Sequence, residues 1–280
     1  MLFRTEIEPV EPVALIDHGM KVHSLGSCFA EAIGERLGRD GFGITVNPLG
    51  PLYNPASLAR VISRANEAYV YKAQDLRLDA GVWHALEFAW RYHDEDADAL
   101  VERVNADFRA LHGCPDVLIV TFGTAYVFER EGETVGNCHK IPASQFRRRL
   151  MDTEEIVDIW SSLLGNIPVE HIILTVSPVR HKADGLHGNM LSKARLLLAV
   201  EKLTAMYPGR VEYFPAFEIL CDDLRDYRFY ADDLCHPSTM AEDYVYTIFS
   251  KTYFSPATAQ KALQARKEWT RNQHRPISGQ

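Results

Sequence analysis

Three short segments read as strands covered on both faces: Met20 to Leu25, Val117 to Phe122 and Ile172 to Val176. The last two are apolar almost without a break, closed by Gly123 and by Ser177-Pro178. A half-exposed strand would alternate apolar with polar residues, so such runs point to a parallel sheet under helices. Between them the apolar spacing changes to that of a helix. Phe29, Ala32, Ile33 and Leu37 follow Gly26-Ser27-Cys28, and Ile156, Ile159, Trp160, Leu163 and Leu164 follow Asp152-x-x-Glu155. Leu196, Val200, Leu203 and Tyr207 mark a further amphipathic helix, and Thr239-x-x-Glu242 opens another with Ala241, Tyr244, Val245, Ile248 and Phe249 on one face. Val211 to Leu220 has room for one more strand. The alternation predicts an α/β fold.

Two stretches depart from a minimal alternation. Tyr126 to Glu129 and Glu133 to Gly136, separated by Arg130-Glu131-Gly132, predict a β-hairpin insertion. The region from Gly41 to His93 is rich in Pro, Gly, Trp and His and is expected to be a loop or lid insertion. Its Trp83, His84, Trp90, Tyr92 and His93 suit either a sugar-stacking or acyl-binding wall or the packing of a lid on the core. Residues 261–280 are polar and basic and read as a frayed helix with a loose end.

Composition narrows the function classes. Among 280 residues, 30 Lys+Arg stand against 38 Asp+Glu, a net charge of −8, which argues against non-specific binding to nucleic acid or an anionic membrane. Five cysteines with no C-x-x-C pair do not make a disulfide framework, so a reducing compartment is expected. Glu6, Glu8 and Glu11 stand where a signal peptide would be apolar, and no window is long enough to span a membrane. A cytoplasmic location is the expectation.

Candidate chemistry sits in two places. Ser27 and Cys28 lie where a strand turns into a helix, at the sheet edge where α/β proteins build sites and where the helix dipole favours an anion. A tight turn also simply needs small residues. Further on, Asp233-Leu234-Cys235-His236-Pro237 puts a carboxylate within reach of an imidazole, as a nucleophile–His–Asp triad requires, although a capping loop can have the same spacing. Asn137-Cys138-His139-Lys140 invites a metal reading, but adjacent residues of an extended segment point to opposite faces and no paired ligand spacing supports it. No metal and no cofactor are expected. Lys140, Arg180 and His181 suit an anionic pocket or solvated loops equally.

Five ordered motifs carry a resemblance. Ser24 to Ala30 (SLGSCFA), Asn47 to Pro55 (NPLGPLYNP), Thr121 to Ala125 (TFGTA), Asn137 to Pro142 (NCHKIP) and Ser177 to His181 (SPVRH) resemble the GSCFA family, which is similar to the SGNH/GDSL hydrolases. The resemblance implies a flavodoxin-like three-layer α/β/α sandwich with a central parallel sheet of about five strands. It implies one domain over residues 1–260 with insertions, followed by the tail at 261–280. It aligns Ser27 with the aspartate and Cys28 with the serine of the Gly-Asp-Ser block, leaving either as nucleophile, and matches Asp233 and His236 to the catalytic pair. Gly50 takes the place of the second-block oxyanion glycine. Gly123-Thr124-Ala125 lacks the asparagine of the third block, for which Asn137, then Asn54, are the candidate substitutes; His139, Lys140, Arg180 and His181 complete the candidate binding residues.

The implied function is an ester hydrolase or acyltransferase working through a covalent acyl-enzyme on a small-molecule or glycan ester, such as a carbohydrate O-acyl ester. The alternative is a non-catalytic module binding a glycan or an acylated ligand. No nucleic-acid or membrane partner is expected.

Overall fold

The computed structural model describes residues 4–7 and 11–273. β1 (Val22–Gly26) runs directly into α1 (Cys28–Arg39), followed by β2 (Ile44–Val46) and α2 (Pro55–Asn66). Three short strands, β3 (Arg77–Asp79), β4 (Val82–His84) and β5 (His93–Asp94), pair antiparallel ahead of α3 (Ala97–Phe108). After β6 (Val117–Phe122) come β7 (Tyr126–Arg130), β8 (Glu133–Val135) and β9 (Arg147–Leu150), a second antiparallel sheet in the order β8-β7-β9. The chain then alternates through α4 (Thr153–Asn166), β10 (His171–Val176), α5 (Gly185–Met206), β11 (Val211–Tyr213) and a short α6 (Ala216–Glu218). It closes with α7 (Thr239–Tyr253) and α8 (Pro256–Gln273).

The main sheet has five strands in the order β11-β10-β6-β1-β2, and every neighbouring pair is parallel. Renumbered within the sheet this is the flavodoxin-like order 2-1-3-4-5, whose switch point lies between β1 and β6. The expected α/β/α sandwich with a five-stranded parallel sheet is what the chain forms. Alternate side chains of each strand enter opposite layers. Leu118, Val120 and Phe122 join Leu58, Val61, Trp160, Leu196 and Leu203 beneath α2, α4 and α5. Val117 and Ile119 join Phe29, Ile33, Leu37, Val245, Phe249 and Tyr253 beneath α1 and α7. With both faces covered, β6 and β10 are buried at every position.

The hairpin falls where the alternation predicts it. Its Glu131 and Gly132 have φ values of 54° and 85°, the left-handed pair that a two-residue turn of matching twist demands. The Gly41–His93 stretch holds more regular structure than a loop: β2 joins the main sheet, and α2 puts Leu58, Val61, Ile62 and Ala65 into the core at helical spacing. The boundary expected at residue 261 falls inside α8. Ala262 is buried, and Arg266 Nε donates to Asp40 Oδ1 at 2.8 Å, so this helix is held to α1 by a buried carboxylate rather than fraying at that point. Residues 274–280 of the expected tail lie outside the described residues. Among the described residues no helix is long and apolar enough to cross a membrane.

Candidate active site

The switch point between β1 and β6 is where the parallel strands diverge, and the segments leaving their carboxyl ends surround a cavity of about 650 Å³. Gly26 makes the close approach there. Its φ is 138°, and a Cβ on it would stand 2.2 Å from the Thr121 carbonyl oxygen. Asn47 clasps the same glycine from the other side, its Oδ1 accepting from Gly26 N at 2.9 Å and its Nδ2 donating to Gly26 O at 3.1 Å. This is the work of the Asn in the NPLG motif.

The turn assigns its two candidate nucleophiles different places. Ser27 is the N-cap of α1, buried, with Oγ accepting from Phe29 N at 3.3 Å. Cys28 is the first residue of the helix and lines the cavity. Burial pushes its thiol upward, with Glu31 adding to the effect, while the backbone N–H groups of Cys28 and Phe29 and the Lys193 ammonium oppose it. The helix terminus thus favours the thiolate as expected, but desolvation is the larger influence, and in the resting protein the sulfur keeps its proton.

Opposite, the loop before α7 presents His236. Its Nδ1 lies 2.6 Å from Asp233 Oδ2, and the N–H groups of Cys235 and His236 donate to Asp233 Oδ1 at 2.8 and 2.9 Å. These donors, the His236 ring first, hold the Asp233 carboxyl well below the usual carboxylate range. Asp232 is exposed and takes no part in the pair. Leu234, at φ 59°, makes the tight bend that folds the carboxylate back onto the ring. With Nδ1 facing a carboxylate, Nε2 is the nitrogen left for proton exchange. His236 and Cys28 line the same cavity; no direct hydrogen bond joins them among the described residues.

The candidate oxyanion donors divide. Asn137 and Asn54 both line the cavity, and in each the amide oxygen is fixed by a backbone N–H: Asn137 Oδ1 by His139 N at 2.9 Å, Asn54 Oδ1 by Ser57 N at 2.8 Å. Each Nδ2 is thereby oriented as a donor. Gly50, Gly123 and Thr124 do not supply one from the backbone. Gly50 N donates to Asn47 O at 2.8 Å within its own turn, and the N–H groups of Gly123 and Thr124 both reach Tyr53 O, at 2.8 and 2.9 Å. A backbone N–H has one proton to give, so these three hold the loops that frame the site. Thr124 keeps its side chain at the cavity wall, hydrogen-bonded to Ser192.

His181 and Arg180 line the cavity as well. Burial, aided by Lys193, lowers His181 to about 4, so its imidazole is neutral. His139 and Lys140 do not belong here. The turn at Asn137–Lys140 takes φ values of 49° at His139 and 60° at Lys140, sending both side chains into a second cavity of about 260 Å³. There His139 Nδ1 lies 3.3 Å from His84 Nδ1, His139 Nε2 lies 2.9 Å from Phe88 O, and Lys140 sits over the Trp90 ring. Among the described residues no group of three or more His, Cys, Asp or Glu is gathered as metal ligands.

One residue of the site escaped the sequence reading. Lys193 on α5 is buried, with Nζ donating to Gly123 O and Ser177 O at 2.6 Å each, so it ties together the carboxyl ends of β6 and β10. Burial lowers its ammonium to about 7, with Cys221 and Cys28 acting against that. Asn189 accepts from His181 N at 3.1 Å and Ser192 accepts from Ala125 N at 2.8 Å, so one face of α5 anchors two loops of the site, those that follow β6 and β10. The signal was available as polar residues at i, i+3 and i+4 on a helix whose other buried positions are apolar.

No curated protein sequence matches this chain. A solved structure of a Streptococcus pneumonia protein, described as a proposed platelet activating factor, matches at 16% identity and a TM-score of 0.33. That match takes in 54% of this chain and 65% of the other, so the chain spans slightly less than two thirds of that protein. The model of the GSCFA family matches residues 21–249, with the Gly26–Cys28 turn, the clasping Asn47 and the Asp233–His236 loop all inside the matched region, and the chain belongs to the GSCFA family.

Proposed function

We propose that the protein cleaves an ester, or transfers its acyl group, through a thioester on Cys28. The observation that carries this reading is the placing of Cys28 and the Asp233-oriented His236 on the walls of one cavity, at the switch point of the sheet. His236 Nε2 takes the Cys28 proton as sulfur attacks the ester carbonyl. The negative charge that develops on the carbonyl oxygen falls to Asn137 Nδ2, Asn54 Nδ2 and the free N–H at the start of α1. Collapse expels the alcohol, which takes its proton from the His236 imidazolium. Water or an acceptor hydroxyl, deprotonated by His236, then attacks the thioester and restores the thiol.

Asp233 keeps the imidazole in the tautomer with Nε2 free and stabilises the imidazolium. The resting thiol fits a nucleophile that is deprotonated only as substrate arrives. Lys193 supports the same step, since a buried ammonium near Cys28 favours the thiolate. Ser27, buried as a cap, is not the nucleophile in this scheme. The family resemblance to SGNH hydrolases supports the reaction class, and carbohydrate O-acyl esters are the substrate class it suggests.

A ligand-binding role without turnover is the second reading, favoured by the raised Cys28 thiol and by Ala125 in place of the third-block asparagine. Incubation with p-nitrophenyl acetate followed by intact and peptide mass spectrometry separates the two. An acetyl group on Cys28, absent from Cys28→Ala and trapped more slowly in His236→Ala, is the expected result. Full esterase activity in Cys28→Ala overturns the thioester, and silence across a panel of acetyl esters favours the binding role.

A further inference from the structure

The charges around the cavity are unevenly balanced. On its acidic side, Asp233 is saturated by three donors and Asp184 pairs with Arg148. Arg148 is therefore neutralised where it stands. Arg180 and Lys182 are not: among the described residues neither has a carboxylate partner, and the Lys182 ammonium reaches only the main-chain oxygen of Asp233.

Arg180 is held in a defined pose without being neutralised. Its main-chain N–H donates to Cys235 O at 3.1 Å, and its guanidinium carbon stands over the Tyr230 ring, 3.9 Å from the centroid. A cation–π contact takes up no hydrogen-bond donor, so the guanidinium N–H groups are available to grip an anion in bidentate fashion. Both cations reach the loop that carries His236, Arg180 through Cys235 O and Lys182 through Asp233 O, whereas Val135, Gly136, Asn137, Cys138 and Phe128 bring no charge to the lining. In a chain of net charge −8, the lining carries three cations (Arg148, Arg180 and Lys182) against two carboxylates (Asp184 and Asp233), so the cavity has a local positive excess against the global charge.

We infer that the cavity takes an ester whose alcohol half bears an anionic group, a carboxylate or a phosphate, held by Arg180 and Lys182. The inference rests on the proposed acyl chemistry in one respect only, the identification of the His236 side as the side of the departing alcohol. In the reaction above, His236 returns its proton to that alcohol, so the cations beside His236 face the alcohol and not the acyl chain.

Two arms test it. The first measures binding to the resting protein, with no turnover required, by calorimetry with 4-hydroxybenzoate, 4-hydroxyphenyl phosphate and the neutral 4-hydroxybenzamide. The anions should bind about tenfold or more tightly than the amide. Arg180→Gln should erase that preference, Arg180→Lys should restore part of it by returning charge without the planar fork, and Lys182→Gln should weaken it less than Arg180→Gln. The stronger of the two anions identifies the group.

The second arm compares kcat/KM for 4-acetoxybenzoate, 4-acetoxybenzamide and monophenyl succinate, the last bearing its charge on the acyl half. The ratio of acetoxybenzoate to acetoxybenzamide should drop in Arg180→Gln by the same factor as the binding preference, and monophenyl succinate should gain nothing from its charge. Equal binding of anion and amide, or no binding of either at millimolar concentration, overturns the inference. A preference for monophenyl succinate overturns the assignment to the alcohol half. Anion-selective binding without turnover of any ester leaves the anion site standing and removes the acyl chemistry, so the two failures are distinguishable.

Discussion

The Asp233–His236 pair faces the main cavity and the His84–His139 pair is buried beneath the Asn137–Lys140 turn, and their partners make them opposite in character. His236 has a carboxylate on Nδ1 and stands about half exposed, so its ring is both oriented and within reach of solvent and substrate. His139 has another imidazole on Nδ1 and a carbonyl on Nε2, and burial lowers it to about 4. With Nε2–H donated to Phe88 O, the neutral His139 ring accepts at Nδ1 and His84 supplies the proton between them. A histidine beside a carboxylate can carry a proton through a reaction; one locked against a second histidine in a desolvated pocket holds a turn in shape. The residue type is the same, and partner and exposure together decide the role: His171 also faces a carboxylate, Glu212 Oε1 at 2.5 Å, but is buried and does not line the main cavity.

Activity gives the largest test of that contrast. His236→Ala is expected to lower acyl transfer about 10²- to 10⁴-fold, whereas His139→Gln should change it by no more than about threefold. Single-turnover acetylation of Cys28 measures both. Loss of chemistry in a folded His139→Gln protein, at the level of His236→Ala, would break the distinction between the pairs.

Acid titration of stability probes the buried side. His23, His139 and His181 are each lowered to about 4 from 6.5, chiefly by burial. Between those values the unfolded chain binds protons that the folded protein refuses, so stability falls as pH drops from 6.5 towards 4 and levels off below. One pH unit of such separation is worth about 1.4 kcal/mol per group, so three partly solvated groups should together remove about 3 kcal/mol or more. Urea unfolding across that range reads the slope, and His139→Gln should flatten it. A slope untouched by that change would mean that the His84–His139 pair already charges in the folded state.

The same division between cavity and interior operates at single-residue scale in the Ser27–Cys28 turn. Ser27→Ala removes a helix cap and should cost about 1 kcal/mol of stability, with acetylation of Cys28 still occurring. Denaturant midpoints and the acetylation assay decide it together. A stable Ser27→Ala protein that no longer acetylates would return the hydroxyl to the chemistry.

Much of this was legible in the chain, and the reasons are local. Val117 to Phe122 and His171 to Val176 are apolar at consecutive positions because helices cover both faces, a pattern that needs no partner to be recognised. Asp233 and His236 are close in sequence, so a single bend at Leu234 brings them together and their pairing is carried by spacing alone. α2 was hidden among prolines and glycines although Leu58, Val61, Ile62 and Ala65 stand at helical spacing, and α8 read only as a frayed helix because its polar face outweighs the few residues that dock it.

What the sequence by itself determined is the alternation of strands and helices, the turn after β1 and the Asp233–His236 loop, all set by steric and hydrogen-bonding preferences acting over a few residues. Only the tertiary structure decided which donors remain available and which charges remain unbalanced. Gly123 and Thr124 give their N–H groups to the Tyr53 carbonyl brought up by the NPLGPLY segment, and His139 and Lys140 turn away through two left-handed residues. Lys193 reaches the site from a helix far along the chain, and Arg180 is left without a carboxylate because the nearby acids are engaged elsewhere. Hydrogen-bond saturation and desolvation are properties of the completed packing, and no short window of sequence contains them.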